Sequence, residues 1–185
     1  MRLKTWLLAC TLLPLALAET RAAPASGGRF SVVEAGIPEM RAALAGRRVT
    51  SRELVRQYLA RIATYEDRFH AALYVNPRAL AEADVLDRER AQGKIRGPLH
   101  GIPIALKDNI MTTDMPTTGG MLAFKTYVPP YSATLVDNLK KAGAIIIAKA
   151  TMSELAGWYG GGPGRSPGGY NGAAGQSYNP YDPRA

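Results

Sequence analysis

Gly101-Ile102-Pro103-Ile104-Ala105-Leu106-Lys107-Asp108-Asn109 carries the strongest structural signal in this chain. Ile102, Ile104 and Leu106 alternate with Pro103, Ala105 and Lys107, the period of a strand with one apolar face. A strand over residues 102–107 is predicted, ending on Lys107 just before a turn. Apolar surroundings penalise an ammonium, so a lysine held there would lose basicity and work as a neutral amine, the state a general base needs. The competing reading is a lysine that leaves the strand end and reaches solvent.

Downstream, residues 111–131 read as a long loop rich in Thr, Gly and Pro. A helix over 133–142 follows, with Leu135, Val136 and Leu139 expected inward and Gly143 closing it. Residues 145–148 are an apolar run read as a buried strand. Strand, helix, strand in this order predicts a right-handed crossover and an α/β layer. Upstream, a short helix is expected over 38–45, stopped by Gly46. Thr50 and Glu53 have capping-box spacing and start a helix to about Tyr65, with Leu54, Val55, Tyr58, Leu59 and Ile62 on one face. A short strand is expected over Ala72–Val75, then a helix from Pro77 to about Gln92, ended by Gly93. Residues 160–175 contain eight glycines and cannot form a core alone. There are no internal repeats.

The 185 residues are about the length of one domain, and the 46% hydrophobic and 21% charged content is that of a globular chain. The first residues read as an export signal. Arg2 and Lys4 form a positive n-region, residues 6–17 are apolar apart from Thr11, and small-x-small patterns predict cleavage after Ala18 or Ala25. The expected organisation is therefore a signal peptide at 1–25 and a domain from 26 onward, exported to the periplasm or secreted, without stable membrane association after cleavage. The run is short for a spanning helix. Cys10, the one cysteine, lies inside this segment, so the mature chain is expected to have neither disulfides nor thiolate chemistry. Net charge is +8, or +6 from Glu19 onward, where 21 basic residues face 15 acidic ones. The basic residues are scattered among acids, as in Asp87-Arg88-Glu89-Arg90, which argues for a solvated surface rather than a nucleic-acid partner.

Several motifs fail on their chemistry. Gly164-Arg165-Ser166-Pro167-Gly168 fits the spacing of a nucleophile elbow, but the elbow's oxyanion hole needs the N–H of the residue after the serine, and Pro167 has none. His70 and His100 complete no triad and read as structural or exposed. No cluster has metal-ligand spacing, so neither metal nor cofactor is expected. Gly160-Gly161-Gly162 is followed by neither a lysine nor a helix, which weakens a phosphate-binding reading.

GPLHGIPIALKDNI (97–110), TTGG (117–120), SATLVDNLKKAGAIIIAKATMSELA (132–156), the Gly/Ser-rich loop and GQSYNPYD (175–182) together resemble the amidase signature family, with the motifs in family order from about Thr50 onward. The glycine-rich insertion looks closest to the bacterial peptide-amidase-like branch. The resemblance implies the N-terminal part of an α/β/α sandwich around a central mixed sheet, incomplete at its C-terminal side. It implies a Ser–cis-Ser–Lys hydrolase of C–N amide bonds acting on a small amide or peptide amide. Lys107 falls on the general base, and Ser153 and Glu154 fall in a supporting segment. The family's Gly-Ser-Ser segment is expected to begin a few residues after Pro183, so the chain is expected to carry only the lysine and to be inactive as given. Two alternatives stand beside this: a non-catalytic secreted module on an amidase scaffold, and an amidotransferase subunit of a transamidosome.

Overall fold

The computed structural model describes residues 29–158 and 168–182. The signal segment at 1–25, Ser166 and Gly160-Gly161-Gly162 lie outside them.

Four helices are present among the described residues: α1 (Ile37–Ala45), α2 (Ser51–Phe69), α3 (Ala79–Ala91) and α4 (Thr134–Lys141). Three strands, β1 (Ala72–Val75), β2 (Pro103–Lys107) and β3 (Ile145–Ala150), form one sheet in the order β1-β3-β2. β2 and β3 run parallel and β1 runs antiparallel to β3, so the sheet is mixed. The parallel pair needs a crossover, which α4 supplies. A two-stranded ribbon, β4 (Tyr170–Asn171) with β5 (Gly175–Gln176), follows.

Both faces of the sheet are covered. Ile145, Ile147 and Ala148 of β3 pack with Val55 of α2 and Ala79, Ala83 and Leu86 of α3. Ile146 points the other way, into Leu106, Met115 and Val136. Burying each such aliphatic side chain stabilises by about 1.5–3 kcal/mol. A third cluster joins Val32, Met40 and Leu44 to Leu54 and Ile102, and so ties α1 to the start of β2.

Helix α2 starts where the cap spacing predicts: Thr50 Oγ1 accepts from Glu53 N at 3.0 Å. The reciprocal half of the box is missing, because the Glu53 carboxylate pairs with Arg29. Asp87 of α3 takes over, accepting from Ser51 N at 2.8 Å and Arg52 N at 3.0 Å. The helix also runs one turn beyond Tyr65. It stops at His70, a left-handed residue whose N–H still donates to Glu66 O and whose ring stacks edge-on against Tyr178. Strand β3 likewise outlasts the apolar run, to Ala150. Leu135 departs from expectation: it is 51% exposed, while Val136 is fully buried. A helix of eight residues offers the sheet one narrow stripe, and Val136 and Leu139 fill it.

The register of β3 against β2 is not uniform. Ile104 faces Ile146 but Ala105 faces Ala148, so Ile147 is an extra residue on β3. This bulge lets Ile147 and Ala148 both face α2 and α3, and it re-phases everything after them. Strict alternation would turn Lys149 to the α2/α3 face; the bulge turns it to the opposite one.

Candidate active site

Lys107 closes β2, in register with Ala150. Its carbonyl accepts from Ile110 N at 2.9 Å, the first bond of the turn that follows. The side chain is exposed, so the expected apolar enclosure is not present among the described residues. It makes no hydrogen bond or ion pair among them. Pro103 and Ala105, on the same face, line an apolar cleft of about 460 Å³ that Tyr58, Tyr65 and Phe69 of α2 close from the other side.

The buried lysine is a different one. Lys149 is fully buried, and so is Asp108, the residue after Lys107. Lys149 Nζ lies 3.6 Å from Asp108 Oδ1, donates to Thr117 Oγ1 at 2.7 Å and reaches Pro116 O at 3.2 Å. Burial lowers the basicity of Lys149, and the Asp108 carboxylate only partly opposes it. Asp108 Oδ2 accepts from Thr118 N at 3.0 Å, from Gly120 N at 3.3 Å and from the Thr118 hydroxyl. Burial, and secondarily Asp108, pushes the Tyr74 phenol up on the same face.

The turn held this way reaches further. Gly119 O accepts from Leu155 N, and Gly120 O accepts from Ala173 N. Gly120 has a φ of +83°, and a Cβ there would lie 2.9 Å from Asn171 Cβ and 3.0 Å from Glu154 Cα, so only glycine fits. Ser153 and Glu154, expected in a supporting role, hold the β4–β5 ribbon: Ser153 Oγ accepts from Gly169 N at 2.8 Å and Glu154 Oε2 from Gly172 N at 2.8 Å. Asn171, buried, donates to Thr151 Oγ1 and Met152 O.

Sequence reasoning singled out Lys107 and missed Asp108, Thr117, Thr118 and Lys149. One signal was present: a lysine inside Ile145-Ile146-Ile147-Ala148-Lys149, an otherwise apolar strand. His100 is structural. It is buried, Nδ1 accepts from Arg96 N at 3.2 Å, and Nε2 faces Leu86 O at 2.9 Å, so the proton sits on Nε2. His70 caps the C-terminal end of α2, with its ring against Tyr178. Among the described residues no group of three metal-ligating side chains occurs, and no helix is long and apolar enough to cross a membrane.

Residues 53–185 match the family model for Amidase. One component of the glutamyl-tRNA(Gln) amidotransferase of Acidothermus cellulolyticus is 40% identical over 145 residues, covering 78% of this chain and 27% of that relative. The peptide amidase from Stenotrophomonas maltophilia superposes with a TM-score of 0.76 at 38% identity, covering 81% of this chain and 31% of that one. An amidase family protein from Bacillus anthracis str. Ames gives 0.74 at 36% identity, covering 82% and 30%. The chain thus spans less than a third of the length of these relatives. The GIPIALKDN strand, the TTGG turn and the MSE segment meet around one mixed sheet with helices on both faces, and by these matches the chain belongs to the amidase family and has its α/β amidase signature fold.

Proposed function

We propose that this chain is the lysine-bearing part of an amidase, a hydrolase of C–N amide bonds, with Lys107 as the general base. The observation that carries the proposal is the placement of Lys107. It ends a parallel strand, the edge of an α/β sheet where ligands bind, and its side chain is free of partners among the described residues. The mechanism requires Lys107 in its amine form, which takes a proton from a serine in a cis peptide bond. That serine relays from the nucleophilic serine, which attacks the amide carbonyl. Backbone N–H groups hold the oxyanion; its collapse breaks the C–N bond, the relayed proton leaves on the amine, and water then releases the acyl group as the acid. The 185 residues contain no Gly-Ser-Ser segment, so both serines are assigned outside them. The substrate is a small amide or a peptide amide, and residues 1–25 direct export to the periplasm or beyond.

Two measurements test this. The purified 185-residue chain is expected to release no ammonia from simple amides, and hydrolysis above background would refute the assignment of the serines. Residues 29–182 grafted in place of the matching segment of the Stenotrophomonas peptide amidase are expected to restore turnover, which Lys107→Ala abolishes with folding intact. Turnover surviving in Lys107→Ala would remove the base assignment.

A second reading, membership of an amidotransferase complex, is favoured by the 40% identity to the Acidothermus protein. The export signal read at residues 1–25 argues against it. An uncleaved N-terminus on protein recovered from the cytoplasm would reverse the preference.

A further inference from the structure

We propose that Lys149 is a positioning residue for Lys107, acting through Asp108 and Thr117 to lock the turn at residues 116–120 against the end of β2. The proposal rests on Lys107 being the base.

The side chain of Lys107 has no described partner, so what the surrounding structure fixes is the backbone that carries it and the direction in which its Cα–Cβ bond points. That backbone is fixed on both sides. Before the turn, Asp108 N donates to Ala150 O at 3.0 Å; after it, Ile110 N donates to Lys107 O at 2.9 Å. The Asp108 carboxylate then ties the strand end to Thr118 and Gly120. Lys149 is the third point of this frame. It holds Asp108 Oδ1, which has no hydrogen bond of its own, and it holds Thr117 and Pro116 of the same turn.

Stability alone does not account for a lysine here. Position 149 follows Ile-Ile-Ile-Ala in a strand whose other side chains are apolar. A buried ion pair is often no more stabilising than apolar residues of the same volume. What the pair supplies and an apolar pair does not is direction: a carboxylate oxygen and an ammonium, each bonded to a different part of one turn.

The test separates direction from stability. Asp108→Asn with Lys149→Met removes the pair without leaving a lone buried charge, and Thr117→Val removes one acceptor alone. In the 185-residue chain, amide exchange followed by NMR is expected to quicken roughly tenfold at Asp108, Ile110, Thr118 and Gly120, with α2 and α3 unchanged. In the grafted peptide amidase, kcat is expected to fall roughly tenfold at constant KM. Wild-type exchange at those four amides in both variants, or wild-type kcat in the graft, overturns the proposal. Turnover in Lys107→Ala would instead overturn the base assignment and leave the exchange result standing.

Discussion

Separating Asp108 from Lys149 should be among the most damaging single changes to this fold. The two groups lie 3.6 Å apart, and an effective dielectric of about 20 gives an attraction of about 4.6 kcal/mol. Removing one partner of a buried pair typically costs about 3–5 kcal/mol, because the other charge stays buried and uncompensated. The two single changes are not equivalent. In Lys149→Met the carboxylate retains its three donors from Thr118 and Gly120, which holds the loss to about 3 kcal/mol. In Asp108→Asn the lysine keeps Thr117 and Pro116 as acceptors and can shed its proton, since burial has already lowered its basicity; about 2 kcal/mol is expected. The double variant, with no buried charge, should lie within about 1 kcal/mol of wild type. Urea unfolding of the four proteins, followed by circular dichroism, closes the cycle. The expected coupling is about 4 kcal/mol; single effects that sum to the double within about 0.5 kcal/mol would show that the two residues do not act as a pair.

Two further outcomes follow from other parts of the fold. The Asp114 carboxyl is buried, which opposes its ionisation, yet the hydrogen bond and charge of Lys140 at 2.7 Å bring its pKa below the ordinary 3.8. A depressed folded-state value means that its contribution is complete above 3.8 and is lost as the pH falls through the lowered value. Lys140→Met should flatten that part of the acid-unfolding curve, and an unchanged curve would contradict the assignment. Gly143 and Gly93 both have positive φ, +89° and +74°. A Cβ at Gly143 would lie 2.6 Å from His100 Cα, whereas at Gly93 it meets nothing within 4 Å. Gly93→Ala should therefore cost only the left-handed penalty of about 1–2 kcal/mol, and Gly143→Ala clearly more, in the same urea assay. Equal losses would mean that the approach of His100 is not a constraint.

Local features were legible in the chain alone. The alternation in Ile102-Pro103-Ile104-Ala105-Leu106 specifies a strand wherever it is placed, the Thr50 hydroxyl caps the helix that follows it, and the ordered motifs identify the family. These signals involve neighbours along the chain, so they are readable without knowing what packs where. Features that depend on pairing between distant segments were settled only by the folded arrangement. Asp87 caps α2 from 36 residues away. Leu135 is left outside because α4 meets the sheet along one stripe. The bulge at Ile147 exists only in the register of β3 against β2, and that one extra residue determines which face Lys149 takes. Of the two lysines near the candidate site, the local pattern left Lys107 between an apolar enclosure and solvent, and it is exposed; the sheet buries Lys149, because side-chain direction in a strand follows its pairing and not its sequence alone.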